Sequence, residues 1–208
     1  GVIDALLSRA AWTQTLLATL EKGDLAPNQI SPAHRQKLTK HAQANIRTRA
    51  AKLFDKVDPN RAKVIARYAG VAKLKGNAED GAFLFKANCA TCHRFKNQGN
   101  AVGQDLAALA NKPIADWLIG ILDPNRAVED KYVGYVIITH DATAHTGVIT
   151  AETPTSLTLR TAIGQEQIIL RANIKTLQST GLSLMPPGLE AALPPPAMAD
   201  LLAYLRSQ

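Results

Sequence analysis

Two thiols and an imidazole stand close together in the chain, as Cys89, Cys92 and His93. Thiols three positions apart on one helical turn share a face, where each can form a thioether with one vinyl group of a porphyrin. An imidazole directly after the second thiol then becomes an intramolecular ligand for the porphyrin iron. The spacing therefore predicts one covalently attached haem c, with His93 as an axial ligand of its iron.

The same thiol pair has two other possible uses: a thiol–disulfide redox couple, or half of a zinc site followed by an unrelated histidine. The chain contains only two cysteines, so no second pair is available to complete a tetrahedral zinc site. No thioredoxin-like pattern surrounds the pair. Both observations favour haem attachment.

The two methionines of the chain are the candidates for a second axial ligand of the iron. Met198 belongs to the apolar stripe of the final helix, which predicts a core residue. Met185 is followed by Pro186 and Pro187, which exclude a regular helix or a central strand. A thioether presented from such a stiff loop loses little entropy on ligation, so we expect Met185 to bind the iron.

Helices are predicted on both sides of this loop and of the thiol motif. Asn77 is a suitable N-cap for a helix that contains Gly81 and Phe85. We expect this helix to cross the final helix, with Gly81 allowing the backbones to approach and Phe85 packing against Leu201 or Tyr204. A further amphipathic helix follows Pro113, with Trp117 on its apolar face.

The remaining parts of the chain differ in the periodicity of their apolar residues. Residues 1–77 form an N-terminal helical segment, in which Ser31 and Asp58, each before a proline, are expected N-caps. Between about 132 and 180 the apolar residues alternate, which predicts a small antiparallel β insert within residues 78–208. The expected fold class is mainly α.

Charge and hydropathy exclude some functions. The net charge is +7 and the isoelectric point is near 9.5. The basic residues are interleaved with acids and form no run with aromatic partners, which argues against nucleic-acid binding. A basic surface that steers an acidic redox partner, or a plain solvated face, explains the charge better.

No signal peptide or membrane-spanning apolar run is present, so we expect a processed form or a fragment of a longer protein.

These residues, in this order and spacing, resemble a class I cytochrome c. The residues that carry the resemblance are Gly81, Phe85, Cys89, Cys92, His93, Gly103, Met185, Leu201 and Tyr204. The chain is further similar to the planctomycete-type haem-binding domain at the C-terminal end of large exported dehydrogenase-like proteins. That similarity rests on Leu122-Asp123-Pro124, Tyr132-Val133-Gly134-Tyr135 and Ser183-Leu184-Met185-Pro186.

The resemblance implies a cytochrome c domain at 78–208, interrupted by the β insert, with His93 and Met185 as axial ligands. Where the family commonly has Gly-Pro-Asp-Leu, this chain has Gln104 in place of the proline, and its carbonyl is expected to accept a hydrogen bond from His93. Phe85, Trp117, Tyr204 and Gln104 complete the expected cofactor contacts, and no catalytic residue is expected.

The implied function is electron transfer in the periplasm or another exported compartment, from a linked or partner dehydrogenase to a downstream acceptor. The alternative from a different class is a haem-based gas or redox sensor in which Met185 is displaced. A peroxidase is less favoured, because no distal His/Arg pair is evident. No feature of the sequence indicates an oligomeric state.

Overall fold

The computed structural model describes residues 2–25, 27, 30, 32–54, 59–126 and 128–207. Ser31 and Asp58, the two expected N-caps, lie outside these residues. The described helices are α1 (Val2–Leu7), α2 (Ala10–Lys22), α3 (Pro32–Thr39), α4 (Ala44–Phe54), α5 (Pro59–Arg67), α6 (Ala78–Asn88), α7 (Ile114–Leu122) and α8 (Pro195–Arg206). None of the helices in the described ranges is long and apolar enough to cross a bilayer.

The first four helices surround an apolar core of their own. Its buried members are Leu16, Leu17, Leu20, Ile30, Leu38, Ile46 and Ala50. Burial of leucine and isoleucine side chains contributes about 1.5–3 kcal/mol each, which holds these short helices together. This core contributes no side chain to the site described below.

Helices α6 and α8 cross at very short range. The Asn77 side chain caps α6 by accepting a hydrogen bond from the Glu79 backbone N–H at 2.9 Å. A Cβ placed on Gly81 would lie 2.1 Å from the backbone oxygen of Asp200, so only glycine permits this approach. The ring of Phe85 packs against that of Tyr204, with 5.8 Å between centroids. The predicted cap and crossing are confirmed.

The crossing helices belong to a second core that also takes in α5 and α7. Trp117, Leu118, Ile121 and Leu122 form the buried face of α7, as its apolar stripe predicted. Side chains from 59–73 enter the same core, namely Val64, Tyr68 and Val71. This part of the N-terminal segment therefore packs with residues 78–208, and the division at residue 77 stays a prediction.

Five strands form one antiparallel sheet between α7 and α8. They are β1 (Val133–Thr139), β2 (Ala144–Glu152), β3 (Ser156–Arg160), β4 (Glu166–Leu170) and β5 (Ile174–Ser183). Their order is β4-β3-β2-β1-β5, so the last strand returns to pair with the first. A third core of Ile137, Leu157, Leu159 and Ile169 lies on one face of the sheet.

The expected mainly α fold is wrong. Helices make up 49% of the structure and the five-stranded sheet 20%, which makes it a mixed α and β fold. The sequence predicted a β insert at about 132–180 but undervalued its share of the fold, since its five strands run from Val133 to Ser183. In β5, Lys175, Thr176, Leu177 and Gln178 are all exposed. Backbone pairing with β1, rather than side-chain burial, places β5 in the sheet.

Candidate functional site

The thiol motif continues α6 by one helical turn. The backbone N–H of Cys89 donates to the Phe85 oxygen at 2.8 Å, and that of His93 donates to the Cys89 oxygen at 2.8 Å. Both thiols and the imidazole are therefore projected from one rigid turn. The shared face of the two thiols stays a prediction.

Both cysteines are free thiols in a partly buried setting. Burial raises the pKa of Cys89 to about 12, and the nearby Cys92 adds to the shift. Burial raises the pKa of Cys92 as well. Desolvation thus keeps both sulfurs protonated at neutral pH, as expected for thiols without a neighbouring cation.

His93 is held in one tautomer by its backbone contact. Its Nδ1 lies 2.8 Å from the backbone oxygen of Gln104, and because a carbonyl only accepts, Nδ1 carries the proton. Burial lowers the pKa of His93, against the smaller opposing effect of the Gln104 contact. A neutral imidazole with its Nε2 lone pair free is the form that binds a metal. The expected hydrogen bond from His93 to the carbonyl of Gln104, which lies in the loop 99–106, is confirmed.

That loop fits closely against the imidazole. The backbone N–H of Gly103 donates to the Cys92 oxygen at 2.7 Å. A Cβ on Gly103 would stand 2.5 Å from Cε1 of His93, so the backbone itself forms the wall beside the ring. The ring can therefore neither tilt toward the loop nor rotate freely. Glycine at 103 is required by this close approach.

One cavity brings together residues from both ends of the predicted site. Cys92, His93, Gln104 and Met185 all line it. The remaining walls include Tyr132, Val148 and Leu184. His93 and Met185, which are far apart in the sequence, thus share one cavity.

Four predicted contact residues do not line this cavity. Cys89 packs partly buried against the helical core, in which Phe85 and Tyr204 are buried. Trp117 is also buried, and its Nε1 has no hydrogen-bond partner among the described residues. A buried N–H without a partner calls for an acceptor, which a polar group of a bound cofactor would supply. Whether these four residues contact a cofactor stays a prediction.

The two methionines differ in their surroundings. Met198 has an exposed fraction of 0% and lies within the core between α6 and α8, as its place in the apolar stripe predicted. Met185 is half-buried, and its backbone N–H donates to the Ser183 hydroxyl at 3.0 Å. Of the two, only Met185 lies at the cavity. Its role as a ligand remains a proposal, developed below.

The sheet also contributes to the site, which sequence reasoning missed. Arg160 in β3 donates to the backbone oxygen of Ala101, in the loop that leads to Gly103. The Cys92 thiol donates to the Ala162 oxygen at 3.4 Å. Val148 of β2 reaches the cavity wall. The turn between β3 and β4 thus covers the Cys92 side, and no local pattern in the sequence signals this contact.

The donor set fits a covalently attached haem. It comprises two thiols on one turn, a neutral imidazole held in the correct tautomer, and a thioether in the same cavity. The glycine wall beside His93 agrees with that fit. The described ranges hold no group of three or more His, Cys, Asp or Glu able to bind a metal ion.

Comparison with known proteins supports the same chemistry. The Cytochrome c family model matches residues 78–136, from the start of α6 into β1. This match supports a c-type cytochrome domain, a role in haem-based electron transfer and covalently bound haem c. No curated protein matches the chain.

Proposed function

We propose that this chain is a single-haem electron-transfer module, with haem c bonded to Cys89 and Cys92 and its iron bound by His93 and Met185. The observation that carries the proposal is the single cavity lined by both His93 and Met185. Bound haem c would supply a one-electron couple. The protein contributes attachment, ligand identity and control of the surroundings.

The chain's residues would hold both sides of the group. The Gln104 carbonyl fixes His93 with Nε2 available, and Gly103 prevents the ring from moving. Met185 offers a neutral, soft sulfur, which favours the ferrous state and raises the reduction potential. Keeping the same two axial ligands in both oxidation states limits the reorganisation that accompanies electron transfer.

We further propose that the electron donor is a linked or partner dehydrogenase and that the chain works in the periplasm or another exported compartment. The support for the partner is the resemblance to the planctomycete-type domain. The support for export is that cytochrome c domains are typically exported or periplasmic. The experiments below address the haem and its ligands.

The first test matures the protein in a host able to attach haem. Mass spectrometry should show one haem added to the polypeptide. Spectra of the oxidised and reduced protein should show a six-coordinate iron with a thioether ligand, unchanged by carbon monoxide. A bare polypeptide mass would refute the proposal, and ready carbon monoxide binding would favour a sensor.

The second test uses the two methionines as a matched pair. Met185→Ala should remove the thioether absorption band and open the iron to carbon monoxide. Met198→Ala should leave the band in place, since its side chain lies in the core and away from the cavity. Loss of the band in Met198→Ala alone would show that the ligand assignment is wrong.

A further inference from the structure

The loop that carries Met185 is fastened at both of its ends. On the upstream side, the Ser183 backbone N–H donates to Oδ1 of Asn125 at 2.9 Å, just beyond α7. On the downstream side, Glu190 forms an ion pair with Arg61 of α5, with 2.8 Å between Oε1 and Nη1. Only the short stretch 184–189 lies between these anchors.

The downstream anchor is shielded from water and contains a second contact. The Arg61 and Glu190 side chains are only 20% and 16% exposed. The Tyr68 hydroxyl lies 2.7 Å from the Leu193 oxygen, to which it donates, and 3.3 Å from the backbone oxygen of Glu190. Burial raises the pKa of the Tyr68 phenol, so it remains a donor at neutral pH. Charge-assisted hydrogen bonds in such a setting resist competition from water.

We propose that Arg61, Tyr68 and Glu190 form a clamp that positions the Met185 loop for iron ligation. This inference rests on the proposed function. All three residues lie outside the stretch 78–136 that matches the cytochrome family, as does Met185 itself. The segment 59–73 therefore helps to position the Met185 loop, although the sequence pattern places this segment with the N-terminal helices.

The physical basis of the clamp is the entropy of the loop. A ligand on a loose loop must order that loop each time it binds, whereas a fastened loop has already lost that freedom. Pro186 and Pro187 restrict the stretch between the anchors further. Removing one anchor therefore lowers the effective affinity of Met185 for the iron, so an external ligand displaces it more easily. The thioether group itself is unchanged.

The test measures how strongly carbon monoxide competes with Met185 in the ferrous holoprotein. The double variant Tyr68→Phe, Glu190→Gln should bind carbon monoxide measurably, with an affinity at least about tenfold above the upper limit set by the wild-type spectra, which corresponds to about 1.4 kcal/mol. Its reduction potential should fall, because a thioether ligand favours the ferrous iron. The conservative variant Arg61→Lys should have a carbon monoxide affinity and a reduction potential between those of the wild type and the double variant.

Two controls separate positioning from general loss of stability. Glu21→Gln breaks an ion pair with Arg49, at 2.7 Å on the surface of the N-terminal helices, and should leave carbon monoxide affinity unchanged. Tyr68→Phe alone keeps the ring in the core and should give a smaller rise in affinity. Melting temperatures of all variants show that the folded protein is being measured.

The outcomes are distinguishable. Wild-type affinity and potential in the double variant, together with ready carbon monoxide binding by Met185→Ala, would overturn the clamp and leave the proposed ligand intact. A Met185→Ala protein indistinguishable from the wild type would overturn both. An equal rise in affinity for Glu21→Gln would show that the effect is not specific to the clamp and would also overturn it.

Discussion

Gly81→Ala should weaken the contact between α6 and α8. The new Cβ would lie 2.1 Å from the Asp200 oxygen and 2.7 Å from the Tyr204 Cβ. Ordinary carbon–oxygen contacts begin at about 3.3 Å, so the helices must separate by about 1 Å. That movement also disturbs the ring contact between Phe85 and Tyr204.

Overpacking of this kind costs about 1–3 kcal/mol, and the loss of glycine's freedom in the unfolded chain returns about 0.4–1 kcal/mol. The net loss is about 1.5 kcal/mol at the middle of these ranges, equivalent to a melting temperature lower by about 3–6 °C for a domain of this size. Calorimetry of the holoprotein measures it. The matched control is Gly70→Ala, where a Cβ meets nothing within 4 Å. Equal melting temperatures for Gly81→Ala and the wild type would refute the close-approach argument.

Three further changes test other parts of the structure. Gly103→Ala should push His93 from its position, because the added Cβ falls 2.5 Å from Cε1, and absorption spectra should show a weakened or altered axial ligation. Leu159→Ala, at 0% exposure in the sheet, should lower the free energy of unfolding in urea by about 2–5 kcal/mol. The hydrogen bond from His34 lowers the pKa of Asp4 from 3.8, so this carboxylate stabilises the fold above that value and loses its effect as pH falls. The melting-temperature difference between wild type and Asp4→Asn should therefore shrink in acid, and a difference that grows below pH 3.8 would contradict this sign.

The parts of the site that were predictable are local in sequence. The turn from Cys89 to His93 follows from the spacing of the motif, and the Gln104 contact follows from a short loop that must return past the imidazole. The N-cap at Asn77 and the glycine at 81 are visible as residue types in a helical pattern. In most of these cases the interacting atoms belong to one helix or to neighbouring segments of the chain. For Gly81, the residue type itself indicates a close approach of two backbones.

The parts that were missed depend on pairing between distant segments. The β insert was predicted, but the return of its last strand, β5, to pair with β1 was not, because backbone hydrogen bonds make that pairing and leave no trace in residue type. The ion pair of Arg61 with Glu190 joins two ordinary charged residues far apart in the chain. Arg160 reaches Ala101 in the same way. Charged residues are abundant on any surface, so the sequence does not show which of them will meet.

The return of the last strand to the first has a consequence for how this chain tolerates change. Val133 opens β1 and Ser183 closes β5, and these two residues are register partners, so the chain leaves and re-enters the helical part at neighbouring points. Replacing everything between them with a tight hairpin would need no movement of α7 or of the Met185 loop. Strands away from the cavity can therefore vary in length and content while His93 and Met185 keep their spacing, whereas Val148 of β2 and the turn between β3 and β4 are constrained by their contacts with the site.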